Sequence, residues 1–188
     1  MEYVKCHNCG SDQSSYYATE NGYNLVRCAE CGLIYLNPRP DAEEIQDAHK
    51  LGVHRGEHDF DITGHFDKGK IRNYLKILRD FYTPEQLAGS SWLDVGCGHG
   101  EFLVALREFT NGNIQLRGLE PNVQKQISAQ KQGLDVSQFD LATHEQRYDR
   151  ISLLNVYGHL PDPVGMLSTL RTLLLPSGEL LLETGDSA

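Results

Sequence analysis

From residue 91 onward the apolar positions alternate between two spacings. Ser91-Trp-Leu-Asp-Val95 is a short, nearly continuous apolar run, which predicts a strand buried on both faces; Gly96-Cys-Gly-His-Gly100 follows without a break. Glu101–Phe109 then sets Phe102, Leu103, Ala105 and Leu106 on one face of a helix. The alternation continues with a strand over Gln115–Leu119 closing in Glu120, a helix over Val123–Gln132 and strands over Leu134–Phe139 and Tyr148–Val156. A helix over Pro163–Leu175 presents Met166, Leu167, Leu170, Leu173 and Leu174, and Pro176-Ser-Gly178 turns the chain into a last strand, Glu179–Thr184. Strands and helices in strict alternation predict an α/β domain, a mostly parallel sheet with right-handed crossovers and helices on both faces.

The first forty residues are patterned differently. Ser14–Thr19 and Tyr23–Arg27 are β-prone stretches joined through Glu20-Asn21-Gly22, and Asn-Gly is a strong hairpin signal. Leu33-Ile-Tyr-Leu36 offers a third strand. So few apolar residues cannot build a core unaided. The cysteines supply the remedy: Cys6-His-Asn-Cys9-Gly10 and Cys28-Ala-Glu-Cys31-Gly32 are two C-x-x-C-G turns, with eighteen residues, Gly10 to Arg27, between Cys9 and Cys28. Each turn brings two thiolates to one ion, and the four together match the tetrahedral sulfur set that Zn²⁺ prefers. Iron in a rubredoxin-like centre also uses paired C-x-x-C-G turns and is the rival ion. Four sulfurs leave no open coordination position, so the expected zinc-ribbon-like module is structural, with His7 facing solvent.

Between these regions Asn37-Pro-Arg-Pro40 is extended, and Asp41 caps a helix from Ala42 to about Lys50. Leu51–Gly64 has no clear period and reads as a polar loop or a lid; His54 and His58 would share a face only if it were helical, and no third ligand joins them. Ile71, Leu75, Leu78 and Tyr82 predict a helix over Phe66–Tyr82 whose basic residues form a solvated face. The expected organisation is a metal module over residues 1–40, a helical connection over 41–88 and an α/β domain over 89–188.

Charge and length narrow the function. The chain has 188 residues and a formal net charge of −9, which disfavours nucleic acid as a partner. No apolar run approaches the roughly 20 residues that span a bilayer, and the start lacks the apolar core of a signal peptide, so a soluble cytoplasmic protein is expected. Five cysteines, an odd number, argue against a disulfide framework; Cys97, inside the glycine turn, reads as a small buried filler.

The turn itself carries chemistry. Strand, glycine turn and helix form the first half of a βαβ unit, where the backbone approaches a ligand closely and the helix N-terminus offers N–H groups. The dinucleotide fingerprint G-x-G-x-x-G is not met, because position 101 is Glu; the pattern is instead Asp94-x-Gly-x-Gly-x-Gly100. Glu120, closing the next strand, is placed to accept the hydroxyls of a ribose.

Leu93-Asp-Val-Gly-Cys-Gly-His-Gly100, Gly118-Leu-Glu-Pro121 and Asn155-Val-Tyr-Gly-His-Leu-Pro-Asp-Pro163 resemble successive motifs of class I S-adenosylmethionine-dependent methyltransferases. The cysteine pairs with Gly32-Leu-Ile-Tyr-Leu-Asn-Pro-Arg-Pro40 are similar to a bacterial subgroup with a zinc-binding module ahead of that domain. The resemblance implies a Rossmann-like fold in which Gly96, Gly98 and Gly100 cradle the methionine part of the cofactor, with Asp94 near its amino group. It further implies that Glu120 binds the ribose, that Asp140 meets the adenine amine with Phe139 or Leu141 on the ring, and that His159 lies near the methyl acceptor as the first candidate base. His54, His58 and Tyr157 are weaker ones. Gly158 stands where the family commonly has glutamate.

By this resemblance the acceptor is a small molecule, such as a sugar or another cell-surface or natural-product precursor. A non-catalytic zinc-ribbon and nucleoside-binding module acting in partner recognition is the alternative. Class I methyltransferases usually continue past the fifth strand of the sheet. The expectation is therefore an incomplete domain that binds cofactor but turns over poorly, with an exposed sheet edge able to self-associate.

Overall fold

The computed structural model describes residues 1–185, without the side chain of His54. The chain divides into two compact units, Met1–Ile62 with His159–Met166, and Thr63–Gly158 with the residues from Leu167 on. The connection over 41–88 is thus shared between them.

The first unit opens with a three-stranded antiparallel sheet, β1 (Ser14–Glu20), β2 (Tyr23–Cys28) and β3 (Ile34–Leu36), in that order. β1 and β2 pair from Ser14↔Cys28 to Glu20↔Tyr23, with a register shift between Tyr16 and Ala18. Asn21 and Gly22 both take positive φ, 46° and 81°, as the two-residue turn between twisted strands requires. Helix α1 (Ala42–Leu51) begins at a reciprocal cap. The Asp41 carboxylate accepts from the Glu44 N–H and the Glu44 carboxylate from the Asp41 N–H, both at 3.0 Å.

Residues 51–64 are more ordered than their pattern suggests. β4 (Val53–His54) and β5 (Phe60–Asp61) form an antiparallel hairpin. Its partners lie far away in sequence: the Asn21 side chain donates to His58 O and accepts from His58 N, at 3.0 and 2.8 Å, and Tyr23 Oη donates to Arg55 O at 2.8 Å. A hairpin rather than a helix also means that His54 and His58 do not share a helical face.

The second unit runs α2 (Lys68–Phe81), α3 (Pro84–Leu87), β6 (Ser91–Val95), α4 (Glu101–Phe109), β7 (Gln115–Glu120), α5 (Val123–Gln130), β8 (Val136–Gln138) and β9 (Tyr148–Leu154). A 3₁₀ turn (Tyr157–His159) and α6 (Pro163–Leu173) lead to β10 (Leu174–Glu183). The sheet order is β10-β9-β6-β7-β8 with every pair parallel, flanked by helices. This is the α/β class expected. β10 begins earlier than its pattern indicates, because Leu174 already pairs with Tyr148; the expected Pro176–Gly178 turn survives as a break in register before Glu179↔Arg150.

Its core is continuous. Tyr82, Trp92, Phe102 and Tyr74 meet edge-on in series, with ring centroids 5.7, 5.6 and 5.2 Å apart, an arrangement the ring quadrupoles favour. Leu78, Leu87, Leu103 and Leu106 are fully enclosed in the same cluster. Among the described residues β10 is an edge strand paired only with β9, and Leu180 and Leu182 on it are exposed. Among the described residues no helix is long and apolar enough to cross a membrane.

Candidate functional site

The four paired cysteines converge. Their sulfurs all lie within 4.8 Å of one another, with Cys6–Cys31 and Cys9–Cys28 at 3.5 Å. A tetrahedral ion with sulfur bonds of about 2.3 Å needs sulfurs about 3.8 Å apart, so the set fits Zn²⁺. The two turns are near copies. Gly10 N donates to Cys6 O and Gly32 N to Cys28 O, while Cys6 N and Cys28 N donate to the carbonyls of Ser11 and Leu33. Gly10 and Gly32 both have left-handed φ, 75° and 78°, which lets the chain fold back beneath the sulfurs. A hydrogen bond from Asn8, with the Leu33 amide, lowers the Cys31 thiol to about 6, favouring the thiolate that a metal requires.

His7, expected in solvent, is half-buried. Its ring meets Tyr35 edge-on and its Nε2 lies 3.3 Å from Arg39 Nη1. The same Arg39 donates to Pro161 O at 2.6 Å and pairs with Glu2 at 2.8 Å. The Arg39 clamp on the loop after β9 was invisible in the sequence. His159 belongs to this unit too, exposed, with its ring edge-on to His49 at 5.9 Å.

In the second unit the C-terminal ends of β6 and β7 bring Asp94, the glycine turn and Glu120 together. Glu120, 5% exposed, accepts from Gly98 N at 2.9 Å through one oxygen and from Asn122 N at 3.0 Å through the other. Each oxygen keeps a free lone pair for a hydroxyl. The three glycines differ in purpose. A Cβ on Gly96 would strike Val156 at 2.5 Å, and one on Gly100 would strike Leu134 at 2.3 Å; both positions are closed by packing. A Cβ on Gly98 would meet nothing within 4 Å, so the turn opens onto free space there. Gly118 on β7 is hemmed in by Cys97 Sγ, which a Cβ would approach to 2.7 Å. Cys97 is accordingly a buried filler, and burial raises its thiol well above the ordinary value.

Asp94 is 3% exposed and accepts from Ser152 Oγ at 2.6 Å; Ser152 in turn accepts from Trp92 Nε1 at 3.0 Å. Burial pushes Asp94 up to about 7, the Ser152 hydroxyl opposing and Glu120 and Glu101 reinforcing the shift. Ser152 was missed by sequence reasoning; its one signal was a polar residue inside the apolar run Ile151–Leu154. Glu101, noted only for excluding the dinucleotide pattern, is a buried acceptor for Asp67 N at 3.0 Å.

Asp140 follows β8, whose Gln138 pairs with Glu120 across the ladder. It is exposed and accepts from the N–H groups of Ala142 and Thr143 and from the Thr143 hydroxyl, bonds that hold its carboxyl below the usual range. Phe139 and Leu141 beside it are half-buried. His58 is exposed, and the His54 side chain lies outside the described residues.

A parallel sheet in this order, with a glycine turn after its central strand and an acidic residue closing the next, defines a Rossmann-like α/β domain. Residues 66–188 match the family described as "Methyltransferase domain", and the chain belongs to that family. It is similar to the ubiquinone biosynthesis O-methyltransferases of Salmonella enteritidis and Salmonella gallinarum, at 29% identity over 135 residues, 66% of this chain and 54% of theirs. The chain therefore spans about half the length of the curated relatives it matches. Among solved structures it resembles coclaurine N-methyltransferase bound to N-methylheliamine and SAH, with a TM-score of 0.54 at 20% identity over 64% of this chain and 37% of that one. It also resembles StiE O-MT residues 942–1257, with a TM-score of 0.51 at 21% identity over 59% and 42%. These likenesses bear on the fold.

Proposed function

We propose that the protein is an S-adenosylmethionine-dependent methyltransferase acting on a small-molecule acceptor. The observation that carries this reading is the pairing of Gly98, beside which the turn opens onto free space, with the Glu120 carboxylate anchored to its N–H. Membership of the methyltransferase family favours catalysis over partner recognition alone.

In this reading Gly96, Gly98 and Gly100 admit the methionine part, Asp94 faces its amino end and Glu120 takes the ribose hydroxyls. Asp140 exchanges a bond within its own loop for the adenine amine. The bound cofactor supplies a sulfonium-borne, electrophilic methyl group. What the chain adds is alignment of the acceptor, worth up to roughly 7–11 kcal/mol in the best cases, and a base for an oxygen or carbon acceptor, typically about 10²–10⁴-fold. His159 is the base we assign, since an imidazole titrates near neutrality. Cys6, Cys9, Cys28 and Cys31 hold a structural zinc ion. A sugar or natural-product precursor as acceptor rests on the subgroup resemblance, a cytoplasmic location on the sequence, and self-association on the exposed β10 edge.

Calorimetric titration of the zinc-loaded chain with S-adenosylmethionine, and separately with NAD, tests the core of this reading. S-adenosylmethionine should bind and NAD should not. Glu120→Ala, which removes hydrogen bonds to a charged group, should weaken binding about 10- to 100-fold. Equal affinity of wild type and variant would refute the assignment.

A further inference from the structure

Three acidic side chains crowd the turn after β6, and among the described residues no basic side chain pairs with them. Asp94, Glu101 and Glu120 are each at most 5% exposed, and the charges of Glu120 and Glu101 act on Asp94. Their hydrogen bonds come from Ser152 and from the N–H groups of Asp67, Gly98 and Asn122. A second observation is independent of this charge. His99, between Gly98 and Gly100, is 7% exposed; its Nε2 lies 2.8 Å from Thr63 O, and its Nδ1 is buried without a partner. A carbonyl only accepts, so Nε2 carries a hydrogen, and in the neutral tautomer that this bond selects Nδ1 is a bare acceptor. Burying an acceptor unpaired is costly, and it marks a place where a donor is missing.

We propose that His99 Nδ1 accepts a hydrogen bond from the α-ammonium group of S-adenosylmethionine while its Nε2–H holds the Thr63–Asp67 strap against the turn. This inference rests on the cofactor reading above and deepens it. S-adenosylmethionine bears two positive centres, ammonium and sulfonium, against one carboxylate, so a turn rich in unpaired acidic groups suits it. The ammonium has three hydrogens to place, and a neutral imidazole nitrogen takes one without adding another buried charge. The strap is tied at both ends, by His99 to Thr63 O and by Glu101 to Asp67 N, and Gly64 bends it at a left-handed φ of 61°. One imidazole thus links recognition of the amine to the segment that leads into α2.

Two substitutions divide these roles. His99→Gln keeps a donor within reach of Thr63 O but offers no acceptor at the δ position; His99→Asn keeps a polar atom at the δ position and falls short of Thr63. The full chain is titrated with S-adenosylhomocysteine, which cannot turn over, and with its analogues lacking either the amino group or the carboxylate. Hydrogen exchange over residues 63–67 is followed in parallel. His99→Gln should weaken S-adenosylhomocysteine about tenfold and change the deamino analogue by less than about twofold, with strap exchange unaltered. His99→Asn should retain most of the amine-dependent gain and speed exchange in the strap. Equal weakening of all three ligands in His99→Gln would reduce His99 to a packing or water-bound residue and overturn the proposal, as would an effect that follows the carboxylate. If His99→Gln fails to fold, unchanged strap exchange in His99→Asn overturns the linkage. Failure of the wild type to bind S-adenosylhomocysteine removes the cofactor reading itself, a result independent of either variant.

Discussion

Around the sulfur cluster of the first unit the buried apolar positions are Cys6, Cys28 and Tyr35, with Val4 and Val26 packed on them; α1 buries no residue at all. In the second unit one cluster runs from Ile71 through Trp92 and Leu106 to Val136, with nine further apolar residues against it. The second unit can rely on burial, at roughly 25 cal/mol per Å² of apolar surface removed from water. The first cannot, and two of its five core members are themselves sulfur donors. What the contrast teaches is that a ribbon of this size has four converging sulfurs where the sheet has a hydrophobic core, so the zinc ion proposed above would tie its folding to metal in a way the sheet's is not.

The sharpest way to break the comparison is to remove the ligand set. Chelation, or Cys28→Ser, should unfold β1–β3, since a structural zinc site carries on the order of 10–16 kcal/mol of apparent binding energy. Amide exchange in β6, β7 and β9 should stay slow. Retention of exchange protection in β1–β3 at full chelation would show that the ribbon has a core of its own.

A smaller effect separates packing from ligand access within the sheet unit. Gly100→Ala drives a Cβ into Leu134 at a left-handed φ of 87° and should cost about 2–4 kcal/mol, read from urea unfolding. Gly98→Ala meets open space at φ 57° and should cost only the backbone term of about 1–2 kcal/mol, yet abolish cofactor binding in the titration. Similar stability losses in both, or binding retained by Gly98→Ala, would contradict the distinction.

The most pH-dependent effect concerns Asp94. Its carboxyl ionises near 3.8 when unfolded and near 7 in the fold. Between those values the native state holds more protons, so the contribution of Asp94 to stability falls as pH rises from about 4 to about 7. Asp94→Asn should remove that slope, stabilising the fold near pH 8 and changing it little near pH 3, while weakening cofactor binding. An unchanged pH–stability curve would mean that Asp94 is ionised in the fold.

The elements were legible wherever their pattern was local. β6 and α4 fall where apolar spacing puts them, and Asn21-Gly22 makes the two-residue turn its dipeptide implies. The β4–β5 hairpin was not legible, because its anchors are Asn21 and Tyr23, more than thirty residues away. In the site, the glycine turn, Glu120 and the cysteine pairs stood out as residue types at fixed spacing. Ser152 and the link from His99 to Thr63 did not, since each depends on a partner that only the folded chain brings near.

The sequence by itself determined the parallel α/β alternation, the four-sulfur set and the acidic residue closing the second strand, because each is written in neighbours a few residues apart. Only the tertiary structure decided which glycine faces open space, which carboxylates lose their water, and which imidazole nitrogen is left without a partner. Those properties belong to the surroundings of a side chain, and its surroundings come from strands and loops distant along the chain.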